Sequence, residues 1–303
     1  MTINRRQFLQ SACAGGLALR LAHPAMAASH SAVIKKTIPS SGEQLNVIGM
    51  GTSRTFNDEI DPEQLREVLQ IFFDQQGQLI DSSPMYGPAE RLLGELLPMV
   101  NNKSALFAAT KVWTDGREQG IEQMQRSLSL MGVPKMDLMQ IHNLRDWELH
   151  LPTLRAWKEE GRIRYIGITT SHGRYHAELE AIMRTQQLDF VQLSYNIADR
   201  ETDNRLLPVA LDKGIAILIN RPYQRGDLFS QVKDKPLPDW ASEIDCQSWG
   251  QFFLKFAAAH PAATCVIPAT SKPKHIRDNM QANYGRLPDQ AMRKEMIAYF
   301  DRI

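Results

Sequence analysis

The sequence predicts a (β/α)₈ TIM barrel on three features. Eight apolar strand-like runs each precede a helix-like segment. The runs are nearly continuous in apolar residues. No Gly-rich dinucleotide turn follows the first of them. Continuous apolar runs are what parallel strands covered on both faces require, whereas a half-exposed antiparallel strand alternates. Eight such units in about 250 residues match a barrel. An open doubly wound sheet alternates in the same way. Its first turn, however, carries G-x-G-x-x-G, and here only Gly49-Met50-Gly51 is present.

The elements follow in order. NVIGMGT (46–52) is a short apolar run ending in glycines. DPEQLREVLQIFFDQQG then reads as a helix with Asp61 as N-cap, Pro62 at the first helical position and Gly77 at its C-terminal end. QLIDSS is the second strand, and AERLLGELLPMV its helix, with apolar residues at helical spacing. ALFAATKVW and MDLMQIHN are the third and fourth strands, followed by REQGIEQMQRSLSLMG and LHLPTLRAWKEEGR. IRYIGITT and DFVQLSYN are the fifth and sixth, with YHAELEAIMRTQ and ETDNRLLPVALDKG as helices. GIAILINR is the seventh, and a long irregular segment runs from it through Trp240 and Asp245 to the helix SWGQFFLKFAAAHP. ATCVIPAT is the eighth strand, KPKHIRDNMQANYG its helix, and PDQAMRKEMIAYFDRI an additional terminal helix.

A barrel places its active site at the C-terminal ends of its strands. Asp81 closes the second strand, and Tyr86 lies in the Pro- and Gly-bracketed turn after it. Lys111 sits in the third strand, with Trp113 two residues on and so on the same side. His142 ends the fourth, Thr169 and Thr170 the fifth. Gln192, Ser194 and Asn196 are on the sixth, Arg221 ends the seventh, and Thr270 and Ser271 end the eighth. Asp, Lys and His are costly to bury unless paired. Adjacent strands lie about 4.8 Å apart, so Asp81 and Lys111 can pair and His142 is one strand further. Alone, Lys111 or His142 reads more often as structural, as part of an ion pair or as a satisfied core histidine. Three at consecutive strand ends, beside Tyr86, favour a site.

This constellation resembles the aldo-keto reductase family. The matching stretches are Asp81 with the following SSPMYGPAERLLGELL, then TKVW, MDLMQIHN, GRIRYIGITT, DFVQLSYN and IPATSKPKHIRDN, which span about residues 45 to 285. The resemblance implies a barrel that binds an extended nicotinamide cofactor, NADPH with NADH as the alternative. It implies reduction of an aldehyde or ketone, with Tyr86, Lys111, His142 and Asp81 in the catalytic roles. A free phenol has a pKa near 10 and is a poor donor at neutrality, and a neighbouring ammonium favours its phenolate. Lys111 is therefore expected to lower the pKa of Tyr86, Asp81 to hold Lys111, and His142 to orient the substrate oxygen.

The same resemblance assigns the cofactor. Thr169 and Thr170 stand where the family has Ser-Asn on the nicotinamide carboxamide, and Gln192 matches the family Gln there. Thr270, Ser271, His275 and Asn279 belong to the phosphate-binding strand-to-helix turn, where a helix N-terminus meets an anion. Ser271 also reads as the N-cap of that helix. The family's Lys-Ser after Ile-Pro is here Ala269-Thr270, its 2′-phosphate Arg is His275, and its stacking Tyr is Asn220, followed by Arg221, with Tyr223 nearby as a substitute. Trp113 and Trp147 are candidate walls of a substrate pocket or plain core aromatics.

The N-terminus reads differently from the rest. Residues 1–27 hold Arg5, Arg6 and Arg20 and no acid, then an apolar small-residue stretch and Ala25-Met26-Ala27. This is the layout of a cleaved signal peptide, and the Arg pair followed by Gln7-Phe8-Leu9 resembles a twin-arginine signal. The expected organisation is a signal over 1–27, cleaved near Ala27, and a single barrel over 28–303. The expected partners are the twin-arginine export machinery and a small carbonyl substrate, and the expected location is the periplasm. Gln10, three residues before Cys13, argues against a lipoprotein anchor.

The full chain has a formal charge of +1, and removing residues 1–27 leaves −2. Neither value points to nucleic acid or to an anionic membrane, and no long apolar run predicts a membrane anchor. Cys246 and Cys265 are expected as free thiols, with a disulfide as the alternative. Two other functions fit the fold. A non-catalytic barrel acting as a binding or regulatory protein is motivated by Asn220, Ala269 and His275. A metal-dependent hydrolase would need more strand-end ligands than Asp81 and His142 supply, so no metal is expected.

Overall fold

An antiparallel hairpin, β1 (Lys35–Thr37) and β2 (Gln44–Asn46), opens the computed structural model, which describes residues 32–303. Eight parallel strands in sequential order then form the barrel. They are β3 (Met50–Gly51), β4 (Leu79–Asp81), β5 (Phe107–Val112), β6 (Met136–His142), β7 (Ile163–Thr169), β8 (Phe190–Ser194), β9 (Ala216–Asn220) and β10 (Ala263–Val266). Parallel bridges from Ile48 to Val266 and from Gly51 to Ala269 close the last strand onto the first. The twin-arginine signal and the start of the mature chain at residue 28 lie outside the described residues.

Helices cover the outside: α1 (Pro62–Asp74), α2 (Ala89–Leu96), α3 (Arg117–Met131), α4 (Trp147–Glu159), α5 (His176–Thr185), α6 (Leu206–Lys213), α7 (Asp227–Gln231), α8 (Trp249–Ala258), α9 (Pro273–Gln281) and α10 (Gln290–Phe300). Among the described residues no helix is long and apolar enough to cross a membrane.

The hairpin was not foreseen in the sequence. Ile38 and Leu45, beside and within it, pack in the same buried cluster as Leu79, Leu138, Phe190 and Leu218. It therefore seals the N-terminal end of the lumen.

A period of two along each strand sorts side chains between lumen and helices. Leu79 and Asp81, Ala109 and Lys111, Leu138, Gln140 and His142, and Phe190, Gln192 and Ser194 all share the lumen face. The lower members of this set are apolar, and Phe107, Tyr165 and Phe190 pack ring against ring there. The upper members are polar. The residues between, such as Met139 and Ile141, pack with Leu154 and Ile168 in the outer core beneath the helices.

The predicted N-cap of α1 is present, with Asp61 Oδ1 accepting from Glu63 N–H at 3.0 Å. Its C-terminal end differs. Gln76 takes the left-handed turn at φ 62°. A Cβ on Gly77 would lie 2.5 Å from the Phe72 ring, so Gly77 serves close approach and not a positive φ. After β9, α7 and a 3₁₀ turn (Asp239–Ile244) interrupt the long segment. Buried Lys255 on α8 anchors it by donating to the carbonyls of Ile244 (2.6 Å), Tyr284 (2.7 Å) and Arg286 (3.1 Å). Trp240 packs on Phe252, 5.8 Å between centroids. Cys246 and Cys265 are both buried free thiols.

Candidate active site

The upper lumen converges on Asp81. Lys111 Nζ lies 2.6 Å from its Oδ2 and also donates to Ser82 O at 2.7 Å. The other oxygen, Oδ1, accepts from Gln140 Nε2 at 2.8 Å and Gln192 Nε2 at 3.0 Å. Strand register makes this possible: Lys111 pairs with Gln140, Thr169 with His142, and Gln192 with Thr169. Gly167 leaves the room, since a Cβ there would sit 2.8 Å from Gln140 Cγ.

Tyr86 is aimed at this cluster by a 3₁₀ turn over Pro84–Tyr86. Ser83 Oγ caps the turn by accepting from Met85 N–H at 3.1 Å. Gly87 leaves it at φ 62° and ψ −124°, a region open only to glycine. Lys111 Nζ stands 4.9 Å from the Tyr86 ring centroid, and the His142 ring meets Tyr86 edge-on at 5.7 Å and 89°. Asp81, Tyr86 and His142 line a cavity of about 1100 Å³, while Lys111, fully buried, lies behind them. The four residues singled out in the sequence are thus brought together.

The electrostatics correct one expectation. Burial pushes the Tyr86 phenol above its ordinary value, and the opposing charge and hydrogen bond of Lys111 do not overcome it. Lys111 is penalised by burial, but Asp81 and Tyr86 outweigh that and raise its pKa. Burial first, then the Lys111 charge, lower His142 from 6.5 to about 2. Near neutrality the site therefore holds a protonated phenol, an ammonium and a neutral imidazole.

The cofactor candidates divide. Thr169, Gln192, Arg221, Thr270, His275 and Asn279 line the cavity, whereas Thr170 and Ser271 are not among its lining residues. Gln192 is committed to the polar network, donating to Asp81 and Gln140 Oε1 and accepting from Asn220 Nδ2 at 3.3 Å. Asn220 also donates to Thr170 O and accepts from Ser194 Oγ at 2.7 Å. Asn279 accepts from Tyr223 O–H at 2.8 Å, and the Tyr223 ring packs on Phe229 while lining the cavity. Ser271 is not the N-cap of α9. Lys272 holds that position, and Thr270 Oγ1 accepts its N–H at 3.0 Å. Trp113 lies under the Arg145 guanidinium, 5.2 Å from its centroid, and is not among the lining residues.

Sequence reasoning missed Gln140, although its spacing two residues before His142 already placed it on the lumen face. It also missed Arg54, Arg174 and Arg225, which make a cationic rim with the foreseen Arg221. Arg54, Arg174, Arg221, Arg225 and Lys274 line the cavity. The lining acids are both engaged, Asp81 by Lys111 and Asp278 by Ser248 Oγ and Gln251 Nε2. Arg221 Nε is buried with no hydrogen-bond partner among the described residues, and burial followed by Arg225 and Arg54 depresses its pKa despite Asp227. The residues after the site strands also carry strain: Asn143, Leu144, Arg221 and Arg225 all have φ between 52° and 62°.

Comparison with known proteins agrees with this geometry. The family model described as "Aldo/keto reductase family" matches residues 47–296. Aldo-keto reductase YhdN of Bacillus subtilis is 24% identical over 217 residues, which cover 66% of this chain and 65% of that protein, just under two thirds of its length. Among solved structures, the holo form of aldo-keto reductase AKR11C1 from Bacillus halodurans superposes with a TM-score of 0.73 at 19% identity, over 89% of this chain and 96% of that one. An aldo-keto reductase from Klebsiella pneumoniae in complex with NADPH gives 0.72 at 18% identity, over 88% and 95%. These structures share the fold, and the family match extends over most of the chain. The chain belongs to the aldo/keto reductase family.

Proposed function

We propose that this protein reduces an aldehyde or ketone to an alcohol using a reduced nicotinamide dinucleotide, with Tyr86 as the proton donor. The observation that carries the reading is the buried Asp81–Lys111 pair behind a protonated Tyr86 that faces the cavity beside His142. The residues present fit the cofactor. The cavity is large, its rim is rich in guanidinium groups, and the buried Arg221 Nε has no acceptor among the described residues, which a phosphate would supply. The excess of cations, with Lys274 on α9, favours NADPH over NADH.

The bound cofactor would bring hydride delivery to the carbonyl carbon. Tyr86 gives its phenolic proton to the carbonyl oxygen as charge develops there. Lys111 stabilises the phenolate that remains, and Asp81, held by Gln140 and Gln192, keeps Lys111 charged and in place. His142 stays neutral and orients the oxygen. Acid catalysis of this kind contributes about 10²–10⁴-fold. The test is carbonyl-dependent oxidation of NADPH and of NADH by the purified chain, with each nucleotide also titrated by fluorescence. Saturable binding with turnover supports the reading; absence of binding to either sinks it and favours a binding or regulatory role.

The charge layout of residues 1–27 supports export through the twin-arginine machinery, cleavage near Ala27 and a periplasmic single-barrel protein from residue 28. Replacing Arg5 and Arg6 by Lys should retain the uncleaved chain in the cytoplasm; unchanged export would refute this.

A further inference from the structure

We infer that Ser83 is a positioning residue: its hydroxyl fixes His142 as the Nε2–H tautomer and so turns the imidazole into a hydrogen-bond donor toward the cavity. Ser83 is fully buried, and its Oγ has two partners, Met85 N at 3.1 Å and His142 Nδ1 at 2.9 Å. A hydroxyl has one proton and two lone pairs. The Met85 N–H can only donate, so it takes a lone pair. The hydroxyl proton then has Nδ1 as its only acceptor among the described residues.

If Nδ1 carried a proton, Ser83 would have to accept twice, and its own proton would be left unpaired in a buried position. That arrangement is disfavoured on the order of tenfold or more. The imidazolium, the third form, is excluded by burial and by Lys111 near it. Nδ1 is therefore bare and Nε2 carries the hydrogen. Nε2 has no partner among the described residues, and the ring lines the cavity. It adds a donor, from the side of the Tyr86 ring edge, for an oxygen bound there. The second link of the chain is local: the same hydroxyl caps the Pro84–Tyr86 turn, so one side chain sets both Tyr86 and the tautomer of His142.

The inference deepens the proposed reductase function and rests on it for the identity of the acceptor, a carbonyl oxygen. It is tested without turnover. Nitrogen-15 spectra of the full chain labelled in histidine distinguish the two neutral tautomers, and a His142→Asn chain identifies the resonances. The expected wild-type spectrum shows His142 in the Nε2–H form alone. Ser83→Ala is expected to bring in the Nδ1–H form and to lower turnover by about tenfold, and Ser83→Thr to restore the wild-type signature and most of the turnover. A wild-type His142 in the Nδ1–H form overturns the inference even if Ser83→Ala fails to fold. So does an unchanged tautomer in a folded Ser83→Ala chain. A wild-type Nε2–H signature without carbonyl reduction would refute the function while leaving the tautomer assignment intact.

Discussion

Lys111 Nζ sits 2.6 Å from Asp81 Oδ2, with the two side chains 0% and 2% exposed. Removing one member of a buried pair leaves an uncompensated charge and costs about 3–5 kcal/mol. Asp81→Asn is expected to lower the unfolding free energy by about 3 kcal/mol or more, read by urea titration. The double substitution Asp81→Asn with Lys111→Met should recover much of that loss while turnover stays absent. A double variant no more stable than the single one would show that the pair is not the source.

The pH response follows from His142. Its pKa is held from 6.5 down to about 2 in the folded chain. Below 6.5 an unfolded chain binds a proton there that the folded one refuses, so this stability is present above that pH and is lost as the pH falls toward 2. The slope is at most about 1.4 kcal/mol per pH unit. His142→Gln should therefore lose less stability than wild type between about pH 6 and pH 4. In the same range wild-type turnover should show no limb belonging to His142. For the free enzyme, the alkaline limb set by Tyr86 should lie above its ordinary value of about 10. An activity limb near pH 6.5 that vanishes in His142→Gln would contradict this.

Gly167 is expected to matter through Gln140. An added methyl would press on Gln140 Cγ at 2.8 Å and on Leu138 at 3.2 Å. Such overpacking typically costs about 1–3 kcal/mol. Gly167→Ala should keep the fold, since this level of strain is tolerated in a large core, yet reduce turnover by about tenfold as Gln140 leaves Asp81. Thermal melts and steady-state rates measured together check both halves.

At the rim, Arg221→Gln should weaken nucleotide binding by about tenfold, the scale of one charge-assisted hydrogen bond. The salt dependence of binding should become shallower as well. Fluorescence titrations at two ionic strengths decide, and unchanged affinity would remove Arg221 from the cofactor site.

The barrel was legible because its strands are short and largely apolar on both faces, and because the polar residues that face the lumen cluster near their upper ends. Asp81, Lys111 and His142 could be placed side by side from strand order alone. Tyr86 was readable from Pro84 and Gly87, which dictate the turn. The β1–β2 hairpin escaped because three-residue strands carry no period. The segment from Arg221 to Ser248 escaped because it is ordered by Lys255 reaching distant carbonyls and by rings such as Trp240 and Trp249, not by local pattern. The hydrogen-bonded chain from Asp81 through Gln192 to Asn220 depends on cross-strand register, which sequence spacing does not give. The direction of the Tyr86 shift was misjudged because proximity of Lys111 is visible in strand order, whereas the depth of burial is not.

The most direct measurement compares wild type with Tyr86→Phe, which removes one hydroxyl at the head of the Lys111–Asp81 pair. NADPH affinity is read by fluorescence and carbonyl-dependent NADPH oxidation by rate. The expected result is affinity within about twofold, an unchanged melting curve and turnover reduced by at least about 10²-fold. Turnover within a few-fold of wild type would contradict Tyr86 as the proton donor.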